Sequence, residues 1–436
     1  MPFSNKQSRD EFQKIQDLTK QIDAYIELKR TTNNFDNLKS VGKVIIDENS
    51  KFYSGGVSLG RGHEDSFSTL ATEEENKNDL AKTFLALMYI NWLGERKDVF
   101  EVAEIGAGSG DLMKEVLSIK ASVLNDRNSV PDLQKFFNSL RFTIFDFDNM
   151  IKIQKEKIGE TSDINFVNQD VSRGLLPHRH FDFIYGNEIP DTQRIDFLEV
   201  KTDAKGEKNY FMRSIKTHQN EKTEVLVKLS NELIDKIEES LMPIRDLASG
   251  LYQLQFGFHA LLQNIRQGLK EQGSLMLTDY FAFQPDNVSR SLAFTSAIGS
   301  SDEFNMNIDL IKEPGEKIIV AKALYEGETL DITYSPAVGQ DTCDKFGIKC
   351  GFYDPQDDRS GFVFGGQFTK DALTKILADK TLGHHFMRFL DGLKIKLMPT
   401  ELTDTKCHQI YDTPSPDVRM EFSNINSISG GLGALR

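Results

Sequence analysis

The sequence predicts an α/β fold built on a doubly wound, mostly parallel sheet, with an N-terminal helical segment, an insertion and a C-terminal extension. Three observations predict it. Residues 99–117, VFEVAEIGAGSGDLMKEVL, read as strand, glycine turn and helix, the unit that opens a ligand crevice at a sheet's carboxyl edge. Further β-rich runs at 141–147, 164–167, 181–185 and 274–280 alternate with stretches of helical periodicity. The length of 436 residues, with 39% hydrophobic and 27% charged, suffices for a large core and for two or three domains.

In chain order, 1–45 read as helical, with Phe12, Ile15, Leu18, Ile22 and Tyr25 at steps of three and four. Residues 50–72 are rich in glycine and serine and read as a loop. A helix is predicted over 78–93, with Leu80, Phe84, Leu87, Met88 and Ile90 on its apolar side and Trp92 packed where it meets the core. Helix 112–120 follows the glycine turn, and a polar link leads to strand 141–147. The interval from Gly110 to that strand's end is long, which implies an extended helix or an extra turn. Helix 150–158, strand 164–167 and strand 181–185 come next. A short strand is expected at 197–201, an exposed hairpin or loop at 203–220, and helices at 224–241 and 251–269, the second ended by Gly273. Strand 274–280 would be the fifth of the sheet. Beyond it, 318–324 and 330–334 read as a hairpin, 362–364 and 393–397 as strands, 371–377 as a helix capped by Thr369, and the tail as glycine-rich. The expected division is 1–95 as an N-terminal helical and loop region and 96–290 as the core, with an insertion at about 202–250. Residues 291–436 form an α+β extension completing the sheet.

Charge and composition narrow the function. A net charge of −14 repels phosphate backbones, which disfavours nucleic acid as a partner. No run of eighteen apolar residues predicts a membrane span, and the polar start MPFSNKQSRDEFQKIQ carries no apolar signal region. Three cysteines without a C-x-x-C suit a reducing, cytoplasmic setting. Cys343, Cys350 and His408 are the one conceivable metal set, and no metal is expected.

The glycine turn carries the chemistry. Its spacing is Glu-x-Gly-x-Gly-x-Gly, from Glu104 through Gly106, Ala107 and Gly108 to Gly110, where a dinucleotide site has G-x-G-x-x-G. Glycines let the backbone approach a ligand, and the helix start adds a positive dipole end. An acid ahead of the first glycine suits a cationic cofactor such as S-adenosylmethionine better than a pyrophosphate. At the end of the next strand Asp146, preferred to Asp148, is placed to accept ribose hydroxyls. Gln169 and Asp170 follow the third strand. The fourth runs into Asn187-Glu188-Ile189-Pro190-Asp191, where Asn187, Glu188 and Asp191 would face the reacting group and Glu188 or Asp191 could orient a nitrogen nucleophile or take its proton.

With these residues in view, the chain resembles the MidA-like family of class I methyltransferases, which includes mitochondrial complex I assembly factors and bacterial relatives. EIGAGSGDLMKEVL at 104–117 is close to that family's first motif. GNEIPDT at 186–192 is similar to its Asn-Glu-x-x-Asp-Ala segment, and GSLMLTDYF at 273–281 to its strand ending in Asp-Tyr-Gly. FYSGG at 52–56 and DSFST at 65–69 are weaker matches. Thr192 and Phe281 depart from the family's alanine and glycine, and the region beyond 300 matches poorly. The resemblance implies S-adenosylmethionine as cofactor, Asp170 as the acceptor of the adenine amino group, Asn187 beside the cofactor, and a protein arginine as methyl acceptor. It also admits the mitochondrial matrix as location. Alternatives are a small-molecule acceptor and a catalytically silent assembly module. The partner is then a protein or small-molecule methyl acceptor, with a homodimer admitted and no membrane expected.

Overall fold

The computed structural model describes residues 5–33, 35–54, 74–127, 129, 131–159, 161–218, 221–280, 293–297, 330–334, 345–346, 348–352 and 360–365. The chain divides into two compact units, each made of separate stretches. One draws on Met1–Ser58, Pro190–Arg266 and Tyr280–Asp341, the other on Leu59–Ile189, Gln267–Asp279 and Thr342–Arg436.

The second unit carries the predicted sheet. Its strands are β2 (Phe100–Ile105), β3 (Leu140–Asp146), β4 (Ile164–Asn168), β5 (Phe181–Asn187), β10 (Leu269–Tyr280), β13 (Ile348–Phe352) and β14 (Ser360–Gly365), in the order β13-β14-β10-β5-β2-β3-β4. The pairs from β10 to β4 are all parallel, and β13 and β14 pair antiparallel. The central strands are buried on both faces, which is why FEVAEI, LRFTIFD and FDFIYGN read as nearly continuous apolar runs. Strand order reverses between β2 and β5. In an open α/β sheet that reversal leaves a crevice at the strands' carboxyl ends.

Helix α3 (Glu74–Glu95) and helix α4 (Asp111–Asn125) supply the core over one face. Leu80, Phe84, Met88, Leu112, Met113 and Val116 meet Val102, Ile144, Phe183, Tyr185 and Met276 there. Trp92 is buried as expected. It stacks on Tyr89 with ring centroids 5.7 Å apart and donates Nε1–H to the Lys97 carbonyl at 2.8 Å. The long interval before β3 is filled as the sequence implied. Helix α4 runs on to Asn125, and helix α5 (Pro131–Ser139) adds Phe136 and Phe137 to the core. Helix α6 (Asp148–Ile158) joins β3 to β4.

The first unit is an antiparallel sheet made of β1 (Asn37–Ser40), β6 (Asp196–Thr202), β7 (Lys208–His218), β8 (Glu221–Lys228) and β9 (Gly250–Leu254). Helices α1 (Asn5–Thr32), α2 (Val41–Ser54) and α7 (Asn231–Ser240) accompany it. Phe12, Ile15, Leu18 and Ile22 of α1 are buried, at the positions the periodicity marked. A buried ion network ties this unit together. Arg194 forks onto Asp23 (2.7 and 2.9 Å) and reaches Asp196 (2.8 Å), whose other oxygen accepts the Gly42 N–H (2.8 Å).

Several expectations are corrected here. Strand β1 interrupts the helical reading of 1–45, because Leu38 and Ser40 alternate inward against β7. Residues 50–54 continue helix α2, where a loop was expected. The hairpin or loop expected at 203–220 is a hairpin, with β7 paired antiparallel to β6 and β8, and β8 takes the first part of the helix expected at 224–241. That helix begins only at Asn231, after Ser230 accepts the Leu233 N–H. The helix expected at 251–269 opens as strand β9, paired with β6, and helix α8 covers only Phe256–Gly268. Gly273 lies inside β10, at a shift of its register on β5, and does not end a helix. Leu330–Tyr334 is strand β12, paired antiparallel with β11 (Ala293–Ala297). The readings at 65–69, 318–324, 371–377, 393–397 and the tail lie outside the described residues, as do Cys343, Cys407 and His408. Among the described residues no helix is long and apolar enough to cross a membrane, and no group of three or more His, Cys, Asp or Glu is placed to hold a metal ion.

Arg194 joins α1 to the start of β6 within the first unit. Arg194→Ala strands the buried Asp196 carboxylate and frees the half-buried Asp23, and removing one partner of a buried pair costs about 3–5 kcal/mol in comparable cases. A clearly lower urea midpoint by circular dichroism is expected. An unchanged midpoint would mean that water reaches Asp196 in the variant.

Candidate functional site

The carboxyl ends of β2, β3 and β5 bring together most of the residues singled out in the sequence. Glu104 is the penultimate residue of β2 and is 2% exposed. The turn after it has three glycines with positive φ, Gly106 at 62°, Gly108 at 55° and Gly110 at 84°. That conformation is nearly free for glycine and costs other residues about 1–2 kcal/mol. Gly106 extends the ladder by donating its N–H to the Phe145 carbonyl (2.8 Å), and Gly110 donates to Ala107 (2.9 Å). A Cβ at Gly108 would meet nothing within 4 Å, so the backbone there faces open space. A Cβ at Gly106 would lie 1.9 Å from Ile189 Cδ1, and one at Gly110 would lie 2.9 Å from Ile158 Cδ1. Gly110 therefore lets helix α6 close on the turn.

Asp146, at the end of β3, is bound into this turn. Its Oδ1 accepts the Phe147 N–H (2.8 Å), and its Oδ2 accepts the Gly108 N–H (3.2 Å) and Gln154 Nε2–H (2.7 Å). Gln154 also donates to the Gly108 carbonyl (2.7 Å). Burial pushes the Asp146 carboxyl up to about 6, against those three donors, and the charge of Asp170 adds to the rise. Burial likewise pushes Glu104 up to about 8. The neighbouring Tyr185 hydroxyl offsets part of that shift, and the Asp146 charge adds to it. Glu104 and Tyr185 face each other in the β2–β5 register. Burial, with the Glu104 charge, raises the Tyr185 phenol well above its ordinary value. Glu104 Oε2 is buried and makes no hydrogen bond among the described residues.

Asn187 ends β5, and its Oδ1 accepts the Thr278 hydroxyl of β10 (2.7 Å). Glu188 follows in the left-handed region at φ 53°, its N–H donated to the Thr278 carbonyl (2.8 Å). Gln169 and Asp170 follow β4. Asp170 Oδ1 accepts the Ser172 N–H (2.9 Å) and hydroxyl, and its Oδ2 faces Arg173 Nε at 3.3 Å. The Gln169 N–H is donated to the Asp146 carbonyl (3.0 Å). Asp191 lies in the short 3-10 turn Pro190–Thr192, which falls in the first unit, apart from Glu188 in the second.

Gln154, Tyr185 and Thr278 are absent from the sequence reading. Gln154 had a signal, since it stands on the apolar side of helix α6 with Met150 and Ile151 and is fully buried. Tyr185 had none, because a tyrosine in a buried strand reads as core.

The arrangement fits a cationic nucleotide-type ligand. An unsatisfied buried carboxylate, an open glycine backbone and a second acid one strand over meet at one edge of the sheet. With the strand order given above, this defines the class I methyltransferase fold. A family model described as "Putative S-adenosyl-L-methionine-dependent methyltransferase" matches residues 80–302, and the chain belongs to that family. It is an S-adenosylmethionine-dependent methyltransferase, as the resemblance implied. A comparison with curated proteins finds no match. Among solved structures, the chain is similar to an uncharacterized COG1565 superfamily protein of Burkholderia thailandensis, with 14% identity, 90% of each chain covered and a TM-score of 0.45. A superfamily member from the same organism, bound to S-adenosyl-homocysteine, matches with 14% identity, 90% of this chain, 91% of that chain and a TM-score of 0.45. Phosphoethanolamine N-methyltransferase 1 of Haemonchus contortus matches with 12% identity, 56% and 34% coverage and a TM-score of 0.25.

Two outcomes follow from this geometry. Gly108→Val puts a β-branched side chain at φ 55° into the open space. S-adenosylmethionine binding should disappear in calorimetry while circular dichroism stays native. The second outcome concerns stability. Glu104 has its folded pKa near 8 and its ordinary value at 4.5, so the folded state holds the extra proton between those pH values. Stability of the ligand-free protein therefore falls as pH rises through that window, by up to about 5 kcal/mol for a full shift. Glu104→Gln removes this slope. Thermal midpoints should then differ little between wild type and variant at pH 5, while the variant melts higher at pH 8.5. Equal slopes in both proteins would place the titration on another group.

Proposed function

We propose that the methyl acceptor is a side-chain nitrogen of another protein, an arginine guanidinium as in the family the chain resembles. The observation that carries this is Glu188. It sits just past the carboxyl end of β5, beside the strand-order reversal, in a backbone conformation that side chains rarely adopt. Its fixed N–H contact to β10 supports an orientation set by the fold. A strained residue held in place at a strand end is a reasonable seat for chemistry. A carboxylate there matches the planar fork of a guanidinium and can orient it and take its proton. A small-molecule nitrogen is the other acceptor class.

Bound S-adenosylmethionine supplies an electrophilic methyl group. Around it, Glu104 would engage the cationic amino-acid end, and the backbone of Gly106, Ala107 and Gly108 would approach closely, with Gly110 admitting helix α6. Asp146 would hold the ribose hydroxyls, Gln169 and Asp170 the adenine, and Asn187, fixed by Thr278, would border the methyl-bearing end.

Glu188→Gln separates binding from transfer. Cofactor affinity by calorimetry should be unchanged, and labelled-methyl transfer to arginine-containing protein from a lysate should fall by roughly 10²–10⁴-fold. Undiminished transfer in the variant would end the assignment of Glu188. Label found only in small molecules would move the acceptor to the other class.

A further inference from the structure

We propose that Gln154 is a positioning residue for the cofactor site, its one amide group locking the glycine turn and the ribose acid into a single unit. The proposal rests on the assignment of Asp146 to the cofactor's ribose. It goes further by naming the side chain that fixes where Asp146 points.

The geometry leaves the amide one orientation. Both atoms near Gln154 Nε2, the Gly108 carbonyl oxygen and Asp146 Oδ2, are acceptors, each at 2.7 Å. Only the NH2 end, with its two hydrogens, can serve both. The Gly108 N–H returns to the same Asp146 oxygen at 3.2 Å. Gly108 is thus held at both its N–H and its carbonyl, and this is the residue whose backbone faces open space. Gln154 itself is fully buried, and its Oε1 makes no hydrogen bond among the described residues. A buried amide with one end doubly engaged and the other bare is costly to keep for packing alone. Its burial among Met150, Ile151 and Ile158 would suit an apolar side chain better.

The charges around Asp146 make the donor consequential. Glu104 from β2 and Asp170 from beyond β4 both repel its charge when ionised. On helix α6, Lys157 is paired with Asp111 at 2.6 Å and Lys152 with Asp148 at 2.6 Å. The ionised Asp146 therefore depends on N–H donors from Phe147, Gly108 and Gln154, and Gln154 supplies the one from a side chain. Without it the acid keeps its proton to higher pH, and a protonated acid accepts one ribose hydroxyl less.

The test compares Gln154→Met, Gln154→Glu and Asp146→Asn, each first checked for native circular dichroism, by calorimetric titration with S-adenosylmethionine from pH 5 to 9. Gln154→Met keeps the volume and removes the donor. It should weaken binding on the order of 10- to 100-fold at neutral pH and move the affinity-against-pH midpoint up by about one unit. Gln154→Glu should bind worst at high pH and recover on acidification, as its protonated carboxyl regains one donor. A packing role alone would lower affinity evenly at every pH. Gln154→Met with wild-type affinity and midpoint, beside an impaired Asp146→Asn, overturns the inference alone. An Asp146→Asn variant that binds as wild type removes the ribose assignment and this inference together.

Discussion

The structure depends on one carboxylate at the end of β3. Asp146 accepts N–H groups from the turn that follows β2, from the start of helix α6 and from the side of that helix. The turn after β2 and helix α6 are thereby both fixed to the end of β3 at the edge of the sheet. The glycines make this possible: Gly110 admits helix α6, and the left-handed turn brings the Gly108 N–H round to the acid. The same burial that fixes Asp146 raises the cost of its charge, so the hydrogen bonds both position the acid and keep it ionised.

The second acid, Glu104, is treated in the opposite way. No backbone N–H offsets its burial, and its neighbours across the register are Tyr185 and Ile144. A carboxyl in that setting stays protonated near neutral pH until a cation reaches it. The two acids of the crevice, one supported and one unsupported, are therefore prepared for different partners. Hydroxyls need an ionised acceptor in place beforehand. An ammonium can bring its own charge to the pairing.

Much of the parallel sheet was legible because its strands are buried on both faces and read as short, nearly continuous apolar runs. Phe100–Ile105, Leu140–Asp146 and Phe181–Asn187 lie within a residue or two of where their apolar runs placed them. The first unit was poorly legible for a matching reason. In β7 charged residues break up the apolar ones without a period, and β9, GLYQL, runs on through Gln255 into the apolar start of helix α8. No turn signal separates that strand from that helix. Nor could a local reading find β1, whose partner lies far along the chain. At the crevice the glycines and acids stood out by spacing and Gln154 showed only as a polar residue on an apolar helix face, while Tyr185 resembled an ordinary core position until the backbone brought it beside Glu104.

The order in which the chain supplies its parts bears on biosynthesis. Asn37–Ser40 finds its partner only in Ser214–Thr217, and β5 meets β10 only after the whole of β6 to α8 has been made. Each unit is thus a discontinuous assembly. The first emerges from the ribosome as an orphaned helix and edge strand, and the second is interrupted midway through its sheet. Such long-range closure slows folding and leaves apolar strand faces uncovered during synthesis. A nascent chain of this design calls for chaperone cover, and its units would resist being cut out as independent fragments or shuffled as modules.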